Sequence, residues 1–285
     1  MAPCFTCICV IICYNISLKY EKRPFAMSEL NNSTTVKKQY ANTNNLNTRI
    51  SIHAKYSTNK MGFGNWIVNH YCIEKGMRVL ELGCGTGDMW CGHDHIIQKC
   101  ECLVLSDFSE GMLETTKATV SGHPNVQHMV IDIQDIPFEN DSFDVVIANM
   151  MLYHVPDLEK GLSEVRRVLK DGGDFYCATY GEHGIIEYLS HLLKDYGVED
   201  TVNKNFTLQN GSTFLEKVFA HVEKHDYPDA LAITDLDDMV DYIYSLASMT
   251  TLISVPKDDV KAILSQNMID GVLMVPKEYG MFIAH

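Results

Sequence analysis

From residue 78 onward, short apolar runs alternate with helix-like stretches. Five runs read as strands: Arg78–Leu82, Cys102–Ser106, Val130–Ile131, Phe143–Asn149 and Phe175–Thr179. That alternation predicts an α/β fold built on a mostly parallel sheet. The clearest helix follows the fourth run. Asp157 supplies an N-cap, Leu158, Leu162, Val165 and Leu169 recur on one face, and Gly172-Gly173 is expected to end it. No internal repeat is visible.

The first half-hundred residues read differently. Phe5 to Leu18 is an apolar run of about 14 residues, short of the roughly 20 that a spanning helix needs. Basic residues follow the run (Lys19, Lys22, Arg23) rather than precede it, which is not the grammar of a signal peptide. Residues 1–26 are therefore expected to be an extension upstream of Met27, without stable membrane insertion; an acylated anchor using Cys4, Cys7, Cys9 and Cys13 is the alternative. Residues 28–60 are polar and asparagine-rich, and order is expected to begin near Ile50. The chain thus divides into an extension and flexible lead-in over 1–49 and a folded domain over 50–285. Residues 181–271 are read as an insertion that caps the site.

Composition narrows the function. Of 285 residues, 37 are acidic and 23 are Lys or Arg, a formal charge of −14. A field of that sign repels phosphate backbones, so nucleic acid is not expected as a partner. The ten cysteines show no paired zinc-ribbon spacing and point to a reduced, cytoplasmic protein.

The chemistry concentrates after the first strand, in Glu81-Leu82-Gly83-Cys84-Gly85-Thr86-Gly87-Asp88. Glycines there permit a sharp turn and let a ligand approach backbone amides without Cβ atoms in the way. The dinucleotide fingerprint wants a glycine where Asp88 stands, so a nucleoside ligand lacking a diphosphate is favoured over a nicotinamide dinucleotide. Asp107 follows twenty residues after Gly87, at a strand tip, where one carboxylate can accept from both hydroxyls of a ribose. After the third strand, Asp132-Ile133 offers an acid and an amide suited to an adenine amino group and ring nitrogen.

With Asp132 through Phe138, Ser142-Phe143-Asp144-Val145-Val146 and Leu169-Lys170-Asp171-Gly172-Gly173 added, the chain resembles class I S-adenosylmethionine-dependent methyltransferases, in the small-molecule branch that includes ubiquinone and menaquinone biosynthesis enzymes. The resemblance is strong from Met77 to Tyr180. It implies a Rossmann-like, seven-stranded, mostly parallel sheet with an antiparallel closing strand pair (Val222 to Tyr227 and Tyr279 to Ala284) and a helical cap. It also implies S-adenosylmethionine as cofactor and a small-molecule methyl acceptor as partner. Residue by residue, Gly83, Cys84, Gly85 and Gly87 would line the methionine and ribose, and Glu81 would help to hold the ammonium. Asp107 would take the ribose, Phe108 would flank the adenine, Asp132 and the Ile133 amide would read it, and Asn149 would sit near the methionine moiety.

An activated sulfonium methyl leaves the protein mainly to align the acceptor and exclude water. His154 lies just past the fourth strand and is either a base or substrate-orienting residue there or a packed histidine. Tyr56 is expected as a lid over the cofactor, or as a surface tyrosine. Cys91-Gly92-His93-Asp94-His95 converges poorly if helical, so no metal site is expected. Met150 and Met151 are expected to pack the pocket floor, and Asp235-Leu236-Asp237-Asp238 to begin a solvated helix. The rival function is a non-catalytic cofactor-binding sensor or partner protein, which fold resemblance does not distinguish.

Overall fold

The computed structural model describes residues 43–200, 202–246 and 255–285. The apolar extension and residues 28–42 of the polar lead-in lie outside the described residues. Helix α1 (Thr43–Tyr56) begins ahead of Ile50, inside the stretch read as lead-in, and α2 (Phe63–Val68) follows it. Then come β1 (Arg78–Leu82), α3 (Asp94–Ile97), β2 (Cys102–Asp107), α4 (Glu110–Thr119), β3 (Val126–Val130), β4 (Phe143–Ile147), α5 (Leu158–Val168) and β5 (Leu169–Tyr180). The remainder is α6 (Ile185–Leu192), α7 (Gly211–Leu215), β6 (Val222–Ile233), α8 (Leu236–Ser245), α9 (Lys257–Ser265) and β7 (Leu273–Ala284).

Seven strands form one sheet in the order β3-β2-β1-β4-β5-β7-β6. All neighbours are parallel except β7, which runs antiparallel to both β5 and β6. The central strands are apolar end to end because core residues cover both faces: Val79, Leu103 and Val145 in one cluster, Leu80, Val104 and Val146 in the other. From β1 the chain crosses first to β2 on one side and later to β4 on the other, so the strand order reverses at β1. In open α/β sheets a crevice for ligands lies at the carboxyl ends of strands flanking such a reversal.

Three expectations need correction. The third strand runs Val126–Val130, several residues before the predicted Val130–Ile131. It is an edge strand whose polar Gln127 and His128 break the apolar run that marks the buried strands. The helix capped by Asp157, whose side chain accepts the Lys160 amide, stops at Val168 rather than at Gly172-Gly173. Leu169 is already extended and pairs with Phe143, so the two glycines fall in a strand bulge: Gly172 has φ +74°, and a Cβ on Gly173 would stand 2.7 Å from the Asp144 carbonyl. The closing pair is longer than predicted, registering from Val222↔Ala284 to Ile233↔Leu273.

That length gives the cap its floor. Leu231, Ile233, Leu273 and Val275 carry a second apolar cluster with Ile185, Leu189, Met239, Ile243, Val260 and Leu264 of the later helices and Ile52 of α1. Strand β6 runs through the stretch 181–271, so cap elements lie both before it and between β6 and β7. Helix α1 is tied to this cap by Lys55 and Tyr56 on Asp238, and the chain after it by Ser57 on Asp229, a carboxylate that also pairs with the buried Lys277. No described helix is long and apolar enough to cross a membrane.

Candidate active site

The turn after β1 carries three glycines at positive φ: Gly83 (+73°), Gly85 (+56°) and Gly87 (+78°). Their surroundings differ. A Cβ on Gly83 would stand 2.9 Å from Met151 Cγ, and one on Gly87 would stand 2.8 Å from Thr116 Cγ2. The protein's own packing therefore demands the first and third glycines. A Cβ on Gly85 would meet nothing within 4 Å. The middle glycine faces open space, and it is there that a ligand can reach the backbone.

Two acids frame the turn. Glu81 is only 2% exposed, with Oε2 accepting from Trp90 Nε1 at 2.6 Å. Burial pushes its carboxyl up to about 7, against the opposing Trp90 hydrogen bond, and no cation compensates its charge among the described residues. Asp107, at the tip of β2, accepts the Gly85 amide through Oδ2 (3.0 Å) and the Ser109 amide through Oδ1 (2.8 Å). Its burial raises the pKa and those amides oppose the rise. Asp107 is thus a strut that holds the glycine turn in place, a role its spacing did not reveal, and each oxygen keeps a further lone pair for a ligand. Thr116 completes the frame by donating to the Gly85 carbonyl at 2.6 Å. The Cys84 thiol is buried beside it, with its pKa pushed up by that burial.

Beside Asp107, Phe108 is 55% exposed, and Val130, the register partner of Asp107 on β3, is 49% exposed. Large apolar groups at strand tips suit a flat apolar ring; Val130 is hard to find from sequence because the apolar pair Val130–Ile131 reads as the start of a strand, whereas Val130 ends one. Asp132 turns the chain beyond β3, accepting from the Gln134 amide at 2.9 Å. The neighbouring Ile133 side chain is buried against Gly161, and its amide donates to no group among the described residues.

The comparisons with known proteins agree with this geometry. Residues 80–177 match the model of the methyltransferase domain family. Demethylmenaquinone methyltransferase of Staphylococcus aureus is 38% identical over 105 residues, 37% of this chain and 44% of that protein. The match spans less than half the length of such curated relatives. Among solved structures, a putative methyltransferase from Bacillus halodurans superposes with a TM-score of 0.53 at 15% identity, covering 78% of this chain and 97% of its own. Phosphoethanolamine N-methyltransferase 2 of Haemonchus contortus, solved with S-adenosyl-L-methionine, gives 0.53 at 21% identity over 87% of this chain and 58% of its own. Residues 80–177 are thus similar to a methyltransferase domain, on a fold that these solved structures share.

The tip of β4 faces the glycine turn. Asn149 is buried, with Nδ2 donating to the Tyr71 hydroxyl (2.6 Å) and Oδ1 accepting the Ala178 amide (3.2 Å). Its amide thereby fastens the strand tip to β5 and to the chain before β1. Met150 adopts φ +54°, a costly value for a side chain of its size, and its amide is held by the Ala178 carbonyl at 2.7 Å. The kink directs Met151 onto Gly83. His154 closes the following turn, exposed and with its ring 4.5 Å from that of Tyr153. Partial desolvation by the surrounding protein lowers its pKa and so favours the neutral imidazole.

Tyr56 is not brought to the turn. It is 5% exposed within the cap cluster, its hydroxyl donating to Asp238 at 2.5 Å, so it is built into the α1–α8 contact instead of lying free as a lid. Asp238 accordingly does more than solvate a helix start, whereas Asp235 caps α8 by accepting the Asp237 amide. Among the described residues no group of three or more His, Cys, Asp or Glu is gathered that could hold a metal ion.

Proposed function

We propose that this chain transfers the methyl group of S-adenosylmethionine to a small-molecule acceptor. The observation that carries the reading is the glycine turn: its middle glycine opens onto free space, between a buried carboxylate that lacks a cation and a strand-tip carboxylate with lone pairs to spare. An amino-acid ammonium suits the first and a ribose diol the second. Gly83, Cys84, Gly85 and Gly87 line the turn; Phe108, Asp132 and the Ile133 amide serve the adenine, and Asn149 keeps the β4 tip in place beside it. Bound there, the cofactor supplies a methyl carbon on a sulfonium, whose C–S bonding pair stays with sulfur as the acceptor's lone pair forms the new bond. The residues of the chain hold, orient and exclude water. The acidic charge of the chain supports a small molecule over nucleic acid as acceptor, and its reduced cysteines support a cytoplasmic setting. The test is calorimetric binding of S-adenosylmethionine followed by incubation with deuterated-methyl cofactor and a metabolite extract. Labelled product supports the proposal; binding without any turnover would instead favour the sensor reading.

Glu81 makes the binding reaction pH-dependent. Free, it titrates at about 7; a bound ammonium favours the ionised form and lowers that value. Complex formation at pH 7 is therefore expected to release about half a proton, and affinity is expected to rise from pH 6 to 8 and then level off. Calorimetry in buffers of different ionisation enthalpy measures the proton count. Zero release would show that Glu81 does not meet the ligand's charge.

His154 is proposed as the group that accepts the acceptor's proton. His154→Ala is expected to lower kcat by about 10²–10⁴-fold with cofactor affinity unchanged. Because its pKa lies below the ordinary 6.5, the wild-type rate should hold through neutrality and fall only at more acid pH, as the ring gains a proton. A variant with wild-type kcat and the same acid limb would reduce His154 to packing on Tyr153.

A further inference from the structure

We propose that the methyl acceptor is a small amine, recognised as its ammonium ion by Glu278 in a tyrosine-lined cleft at the end of β5. This narrows the methyl-transfer reading and rests on it. The cleft is lined by Tyr180, Ile185, Val202, Tyr242, Glu278 and Tyr279, among others. Its place in the fold suits an acceptor. Tyr180 closes β5, and its ring lies 4.5 Å from the ring of Tyr153, which follows the Met151 that packs on Gly83. A short chain of side chains thus connects the cleft to the glycine turn.

Glu278 is held in one orientation. Its Oε2 accepts the His183 amide at 2.6 Å and its Oε1 accepts Gln209 Nε2 at 2.7 Å. Both donors are neutral. Gly181 leaves the room it needs, since a Cβ there would stand 2.0 Å from Oε2. Among the described residues no lysine, arginine or histidine pairs with this carboxylate: Lys277, next in the chain, is committed to Asp229, and Lys204 to Glu182 and Asp200. The charge on the wall of an otherwise aromatic and aliphatic cleft therefore lacks a counter-ion.

An ammonium would supply that counter-ion and also be attracted to the faces of the tyrosine rings. A neutral alcohol of the same shape gains neither term, and an acid is repelled. The acceptor gives one N–H proton to the His154 imidazole, from which it passes to water. The freed nitrogen lone pair forms the C–N bond as the C–S pair withdraws to sulfur.

The test uses butylamine and butan-1-ol, which share a skeleton and differ in charge. In NMR titrations of the full chain, butylamine is expected to bind at least ten-fold more tightly than the alcohol. Glu278→Gln, which keeps one acceptor oxygen, and Gly181→Ala, which displaces the carboxylate, should each abolish the preference. Equal binding of the two probes to the wild type, or an unchanged preference in folded Glu278→Gln protein, overturns the inference. The wild-type comparison stands even if neither variant folds. Amine preference without S-adenosylmethionine binding would refute methyl transfer while leaving the cleft assignment intact. Cofactor binding and labelled oxygen- or carbon-methyl products would refute the amine and leave methyl transfer standing.

Discussion

Gly85→Val is expected to lose S-adenosylmethionine affinity by more than about 100-fold, some 2.7 kcal/mol, while the protein still folds. Two effects act together. At φ +56° an L-residue is strained by about 1–2 kcal/mol, and a β-branched one by more, so the turn itself will relax away from its geometry. In addition, the new side chain projects into space that the described residues leave open. Folding survives because nothing within 4 Å is displaced and the buried strands on either side are untouched. Gly83 and Gly87 behave differently: any Cβ there strikes Met151 or Thr116, so substitution damages packing as well as binding. Circular dichroism and a calorimetric titration decide the matter. A folded Gly85→Val protein with wild-type affinity would remove the turn from the cofactor site.

Asp107→Asn should weaken binding by roughly 10–150-fold, the 1.5–3 kcal/mol scale of hydrogen bonds to a charged group. Asparagine retains one acceptor oxygen for the Ser109 or Gly85 amide but presents an NH2 to the other, and it forfeits the charge that a ribose diol donates to. Because the same carboxylate braces the glycine turn, part of the loss will come through a loosened loop. The two contributions separate by measuring adenosine as well as the whole cofactor. A ribose contact is lost to both ligands alike, whereas a disordered turn penalises the methionine-bearing ligand more. Unchanged affinity for both would take Asp107 out of the site.

Much of this was legible in the chain. Local rules predict the strand from Arg78 to Leu82, the glycine turn after it and the Asp157 cap, because each depends on residues a few positions apart. Where local signals competed, they misled. Gly172-Gly173 reads as a helix stop, yet the helix has already ended at Val168 and the pair serves a bulge against Asp144. Val126–Val130 lacks the apolar run of its neighbours because an edge strand is covered on one side less. Tyr56 stands near a polar segment and reads as a lid; its partner Asp238 lies 182 residues away, beyond the reach of any local pattern.

Local sequence accounts for the central strands, the helix capped by Asp157, the positions of the turn glycines and the strand-tip acids, and hence the kind of ligand they suit. These are properties of short segments, set by backbone sterics and by which residues tolerate burial. What each group is free to do was set by the folding of distant segments against it. That folding left Gly85 open while crowding Gly83 and Gly87, buried Glu81 away from any cation of the described residues, engaged both ends of Asn149, and set Glu278 among tyrosines drawn from β5, α8 and β7. Such outcomes depend on which distant segments meet in the folded chain, and on the solvent and charge that each meeting removes from a polar group.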